Sequence, residues 1–194
     1  MALPGSGTLS IQDIVDEFGG TAPHSLSEYY RNGAYVGSSN TGVPTSGTIS
    51  LSDFYGASAG TVVTVTYNGP VIGTQSRMYG FCNYQKLYEP ESGSYYNNQI
   101  FGSRTPTTLN GATIDGIYFS EDKSGSNDYF VVVLRGNRAK SFFTSVTPQG
   151  GTTLNTSSST RITGTRDGTL STYWYWSSNP SGWDGSGTRT ATFI

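Results

Sequence analysis

From Thr61 onward, apolar and polar side chains alternate in short runs broken by turn residues. That period of two limits the possible folds more than any other feature of the chain. Residues 61–67 read TVVTVTY and stop at Asn68-Gly69, a turn dipeptide. Further strand candidates are 78–84, 113–119, 129–135, 141–146, 161–165, 169–176 and 188–193. Arg166-Asp167-Gly168 links two of them as a tight hairpin. Short strands with turn signals between them predict an antiparallel β-sandwich over 61–194. Composition agrees: 27 Ser, 26 Thr, 26 Gly and 14 Tyr favour pleated strands and tight turns over helix interiors.

The first 58 residues follow a different rule. Residues 3–13 read LPGSGTLSIQD and residues 43–53 read VPTSGTISLSD, with six identities. A shorter echo, SLSEYY at 25–30, matches SLSDFY at 50–55. Ser10, Ser25 and Ser50 are placed as helix N-caps. Asp13, Glu28 and Asp53 stand where a capping-box carboxylate meets the positive end of the helix dipole. Each helix is short: Ile11 to Phe18 is stopped by Gly19 and Gly20, the second by Asn32 and Gly33, the third by Gly56. The class is thus mainly β, with a small N-terminal segment of short capped helices and loops (1–58) before an antiparallel β-sandwich domain (61–194). Segment 1–58 is too short for a sizeable core of its own. It should either pack on a partner or fold as a small cluster whose apolar faces complete a neighbour's surface, with Ile11, Ile14, Phe18, Leu26, Tyr29, Tyr30, Leu51, Phe54 and Tyr55 as the expected docking interface.

Charge and reactive groups narrow the chemistry. A net charge of −2 with scattered Lys and Arg argues against nucleic-acid binding. The lone Cys82 excludes an internal disulfide, and the one histidine, His24, cannot build a His/Cys zinc site; any Ser-His-Asp or Cys-His arrangement would have to use it, and it reads as a loop or cap histidine. No cofactor or metal is expected. Residues 1–7 lack a basic segment and an apolar run, and no stretch has transmembrane length, so a soluble protein made in the cytoplasm, without membrane insertion, is expected. Of the β-region acids, Glu89 and Glu91 read as a polar loop around Pro90, and Asp167 belongs to its turn. Nothing in the spacing brings two carboxylates across a cleft, as a glycosidase needs. The stretch EDKSGSND at 121–128 reads as a solvated hairpin tip, although its acids could also hold calcium.

The run Tyr173-Trp174-Tyr175-Trp176, followed by Trp183, is the candidate for recognition. On a strand the tyrosines share one face and the tryptophans the other. If one face fills the core, Trp174, Trp176 and Trp183 could present rings to a glycan or a partner; otherwise the sandwich and its loops cover both.

The segments SGTLSIQDIVDEFGG, SLSEYYRNGAYV and VPTSGTISLSDFYGAS resemble the N-terminal module of virion structural proteins of tailed phages, common among phages of marine bacteria and cyanobacteria. The resemblance covers about residues 1–58, and FGSRTPTTLNGATIDGIYF at 101–119 looks like a β-domain that recurs in such proteins. It implies a non-enzymatic structural role in the particle, in the tail (baseplate, fibre or fibre adaptor) or on the head as a decoration or head fibre. The partners it implies are other virion structural proteins and further copies of the chain in a homo-oligomer. A tail fibre would also contact a host surface glycan.

Overall fold

The computed structural model describes residues 2–37, 40–83, 86–90, 92–96, 101–125 and 127–194. The chain divides into two compact units, Met1–Thr61 and Val62–Phe193.

In the first unit, helix α1 spans Ile11–Phe18, the span expected from its caps. The Ser10 hydroxyl accepts from the Asp13 amide at 3.2 Å, and the Asp13 carboxylate accepts from the Ser10 amide at 2.8 Å. Gly19 ends the helix at φ 79°, a conformation that a side chain would strain. The two echoes form single 3-10 turns, Leu26–Tyr29 and Leu51–Phe54. In the second, Asp53 again accepts from the amide three residues earlier, at 2.8 Å from Ser50. Ser25 accepts more weakly from Ser27, at 3.4 Å.

This unit folds as a small cluster with a core of its own, and that core takes four of the residues expected at the docking interface. Ile14, Phe18, Tyr29 and Phe54 are buried inside it with Leu3, Leu9, Val36, Val43 and Ala57. The rings of Phe18 and Tyr29 meet Phe54 edge-on, with centroids 6.3 and 6.4 Å apart. Three short turns can bury these side chains because they converge. No single turn has an apolar stripe long enough to do so alone.

The second unit is a two-layer β-sandwich. Its strands are β1 (Thr61–Tyr67), β2 (Val71–Ile72), β3 (Ser76–Cys82), β4 (Leu87–Glu89), β5 (Ser94–Tyr96), β6 (Ser103–Thr105) and β7 (Thr108–Leu109). They continue as β8 (Ala112–Asp122), β9 (Tyr129–Arg135), β10 (Ser145–Pro148), β11 (Leu154–Asn155), β12 (Thr160–Arg166), β13 (Thr169–Ser177) and β14 (Gly187–Phe193). One sheet has the order β11-β10-β14-β1-β6, which sets the first and last strands side by side at its centre. The other runs β12-β13-β9-β8-β3-β2, with β7 paired to β8. Strands β4 and β5 form a separate hairpin.

The turns sit where their residues require. Asp167 and Gly168, at φ 53° and 64°, make the two-residue link from β12 to β13. Asn68-Gly69 does not close a hairpin; it carries the chain from the smaller sheet to the larger one. The candidate 78–84 is displaced to β3, and its last residue, Tyr84, lies outside the described residues. The candidate 141–146 is displaced to β10, because Ala139 to Thr144 turns instead of pairing.

The main core lies between the sheets. Val63, Val65 and Tyr67 of β1, Val146, Ala191 and Phe193 face Phe81, Ile117, Phe119, Phe130, Val132, Leu134, Trp174 and Trp176. The larger sheet is also covered on its outer face, where Met78, Cys82, Tyr118, Val131, Val133 and Tyr173 pack against Leu87 and Tyr88 of the β4–β5 hairpin. Coverage on both faces explains why β9 reads YFVVVLR, a continuous apolar run.

Candidate functional site

The N-terminal unit positions two Pro-x-Ser-Gly-Thr loops, 4–8 and 44–48, against its two aromatic turns. The Tyr30 hydroxyl, just past one turn, donates to the Gly47 carbonyl. The Tyr55 hydroxyl, just past the other, donates to the Gly7 carbonyl. The amide after each tyrosine binds the proline of the same loop, Arg31 to Pro44 at 2.9 Å and Gly56 to Pro4 at 3.0 Å. The Leu3 amide also donates to the Ala57 carbonyl at 2.8 Å. Of the nine expected docking residues, Ile11, Leu26, Tyr30 and Leu51 are half-buried and Tyr55 is 39% exposed. The other four form the interior; of these five, Leu26 and Leu51 pack against that interior from its rim and Tyr30 and Tyr55 pin the loops, while each keeps some surface open to a partner.

A groove of about 490 Å³ runs along the same unit, lined by Ala2, Leu3, Pro4, Asp13, Asp16 and Glu17. Its carboxylates serve the fold. Asp13 caps α1, Asp16 accepts from Gln12 at 2.7 Å, and Glu17 accepts from the Ala59 amide at 2.9 Å. His24 sits against Tyr29, with Nδ1 3.4 Å from a hydroxyl that donates to the Gly19 carbonyl at 2.8 Å.

In the sandwich, the tryptophans are core residues, which corrects their assignment as glycan or partner contacts. Trp174 and Trp183 are fully buried and Trp176 is 4% exposed. Each indole N–H donates to a backbone carbonyl: Trp174 to Lys140 at 3.2 Å, Trp176 to Asn155 at 2.7 Å and Trp183 to Gln149 at 3.1 Å. The alternation along β13 correctly separates tyrosines from tryptophans, but the tryptophan face looks into the sandwich. The larger rings fill the space between the layers, where they remove the most apolar area from water.

The tyrosine face is the more accessible one. Tyr175 and Tyr129 are half-buried with centroids 5.7 Å apart, and Tyr175 lies 5.8 Å from Tyr88 of the covering hairpin. Tyr88 in turn stands 4.9 Å from Tyr95, whose ring carries the Arg166 guanidinium at 4.1 Å. The sequence holds the signal for this face in its paired tyrosines at 95–96 and the odd positions of β13. Which elements would bring them together is not local information.

Two carboxylates are buried outside the main core, Asp115 in the larger sheet and Glu89 in the hairpin itself. Asp115 is the extra residue of a bulge between Ile114 and Gly116 in β8. The bulge keeps Ile114 and Ile117 in the main core and turns Asp115 to the opposite side. There it accepts from Asn83 at 2.7 Å, from Arg135 Nη2 and Nε at 2.8 and 3.2 Å, and from Ser171 at 3.2 Å. Lys86, 2% exposed, donates to the carbonyls of Arg166 and Thr169 at the β12–β13 turn. Burial pulls its pKa below the usual lysine value.

Glu89 lies in β4 with no exposed surface, where the sequence suggests a polar loop. Its partner in that expectation, Glu91, lies outside the described residues. Glu89 accepts from the amides of Gln75 and Ser76 at 2.9 and 2.8 Å, the Ser76 hydroxyl at 2.7 Å, the Tyr96 hydroxyl at 2.7 Å and the Ser92 hydroxyl. Burial alone would raise its pKa, but the hydrogen bonds from Ser92, Tyr96, Ser76 and Gln75 outweigh it and hold the carboxyl at about 2. A group so held stays ionised and binds the hairpin to the β2–β3 turn; it does not donate protons near neutrality.

At the β8–β9 tip, Asp122 accepts from the Ser124 and Asn127 amides at 2.8 and 3.2 Å, and Asp128 accepts from the Asp122 amide at 3.0 Å. These are the self-bonds of a hairpin tip. Among the described residues no group of three or more His, Cys, Asp or Glu is placed to hold a metal, and no helix is long and apolar enough to cross a membrane.

No family model, no curated protein and no solved structure matches this chain.

Proposed function

We propose that this chain is a non-enzymatic structural component of a bacteriophage virion, placed in its tail, which joins the particle through Met1–Thr61 and projects the β-sandwich. The observation that carries the reading is the N-terminal unit itself. It is a compact body with its own core, built from a repeated motif, and it keeps Ile11, Leu26, Tyr30, Leu51 and Tyr55 at least partly accessible. The buried carboxylates of the sandwich support a structural role, since Asp115 and Glu89 spend their lone pairs on hydrogen bonds that tie neighbouring strands and loops together. The phage assignment rests on the resemblance of the repeated SGT and SLS motifs.

Particle incorporation tests the reading. Aspartate at Ile11, Leu26 and Leu51 together should leave the sandwich folded and abolish recovery of the chain in purified particles. Unchanged incorporation refutes docking through this unit. Labelling the subunit and imaging the particle separates tail from head.

A second reading is favoured by the tyrosine face. Tyr129, Tyr175 and Tyr95 offer rings to which a host surface glycan could stack, in place of the buried tryptophans. Binding of the intact chain to host polysaccharide, lost in Tyr175→Ala with the fold retained, would establish it; no binding removes it.

A further inference from the structure

The two loop-and-turn contacts of the N-terminal unit obey one rule. In each, a tyrosine hydroxyl takes the glycine carbonyl, the following amide takes the proline carbonyl, and the aliphatic residue before the proline, Leu3 or Val43, is buried. The residue after the proline differs (Gly5 or Thr45), as does the residue after the tyrosine (Arg31 or Gly56). The recognition therefore reads backbone carbonyls and one aliphatic anchor. In α1 the corresponding position holds Val15, which has no hydroxyl to donate, so each loop has one tyrosine.

The two contacts differ in how far the chain must travel to make them. Tyr30 and Gly47 are 17 residues apart, whereas Tyr55 and Gly7 are 48 apart. The longer closure loses more chain entropy, so it is the one a segment from outside competes with best. Of the described residues before Leu9, only Leu3 is buried. A second copy offers an identical segment, and neighbouring copies in an assembly present it at high local concentration.

We propose that residues 3–8 are an exchangeable arm: the site formed by Tyr55, Gly56 and Ala57 accepts the Leu3–Thr8 segment of a second copy of this chain. This rests on the docking reading and specifies its chemistry, a segment of the form aliphatic-Pro-x-Ser-Gly-Thr held by its carbonyls.

The test mixes isotopically heavy and light full-length chain at high concentration. Native mass spectrometry should find mixed heavy–light oligomers, and isotope-filtered NMR should find contacts between Leu3 of one label and Ala57 of the other. Exchange must first open the arm, so Tyr55→Phe should speed mixing about three- to tenfold, the worth of one hydrogen bond. Tyr79→Phe, which removes a hydroxyl bond to Glu121 within the sandwich, should leave the rate unchanged. A chain that stays monomeric, or oligomers in which Leu3 meets only the Ala57 of its own chain, overturns the proposal. Particle incorporation is scored separately: a chain that joins particles without exchanging its arm removes arm exchange and leaves docking standing.

Discussion

Replacing Glu89 with glutamine keeps the size of the side chain and removes its charge at a position where five donors converge. The folded carboxyl has a pKa of about 2, against about 4.3 for a glutamate in an unfolded chain. Because the folded value is depressed, the stability it confers is present above the unfolded pKa and lost as pH falls through the folded one. Integrated over the whole window the contribution is about 3 kcal/mol, of which roughly 1.5 kcal/mol disappears between about pH 5 and about pH 3. Glutamine stands in for the protonated acid, so Glu89→Gln should cost about 3 kcal/mol near neutrality. The variant should also flatten the acid dependence by the amount the parent loses. All three tryptophans lie in the sandwich core, so urea unfolding followed by tryptophan fluorescence reports on this unit. Parallel loss of stability in parent and variant on acidification would refute the argument. So would a cost near neutrality below about 0.5 kcal/mol, the range of an ordinary surface change.

Other expectations follow from the packing. Gly80 sits at φ 142° with its would-be Cβ 2.4 Å from the Ile117 carbonyl oxygen and 2.7 Å from the Tyr118 Cα, both backbone atoms. Gly80→Ala should therefore destabilise the sandwich by about 3 kcal/mol or more, read by thermal melting. Trp174→Ala should cost about 3–5 kcal/mol by opening a cavity between the layers, measured in the same urea experiment. The Cys82 thiol is fully buried, and burial together with the nearby Asp115 carboxylate pushes its pKa well up. It should resist a thiol reagent in the native protein and react at the rate of a free thiol once urea unfolds the chain.

Whatever depends on neighbours along the chain is legible in the residues alone. α1 is legible from Ser10, Asp13 and Gly19 because capping and termination act over three or four residues. Strands β1 and β9 carry their bounds in their own patterns, and the β12–β13 turn is written in Asp167-Gly168. The three-way repeat, and the split of tyrosines from tryptophans along β13, are likewise local.

Which surfaces meet is set by the folded chain as a whole. Alternation says that Trp174 and Trp176 share a face, but the second sheet makes that face the interior. Ile14, Phe18, Tyr29 and Phe54 look like residues in need of a partner because each turn alone is too short to cover them. Three turns and two loops, brought together from as far apart as Leu3 and Ala57, cover them from within. Glu89 reads as a loop acid until Ser76, Ser92 and Tyr96 are placed around it. The Asp115 bulge is visible only in register, since one extra residue in β8 has no meaning without β9 beside it. Local chemistry fixes dihedral angles and caps. Burial is a property of pairs of surfaces distant in sequence, and it sorts the aromatic side chains of this chain into those that hold it together and those left to meet something else.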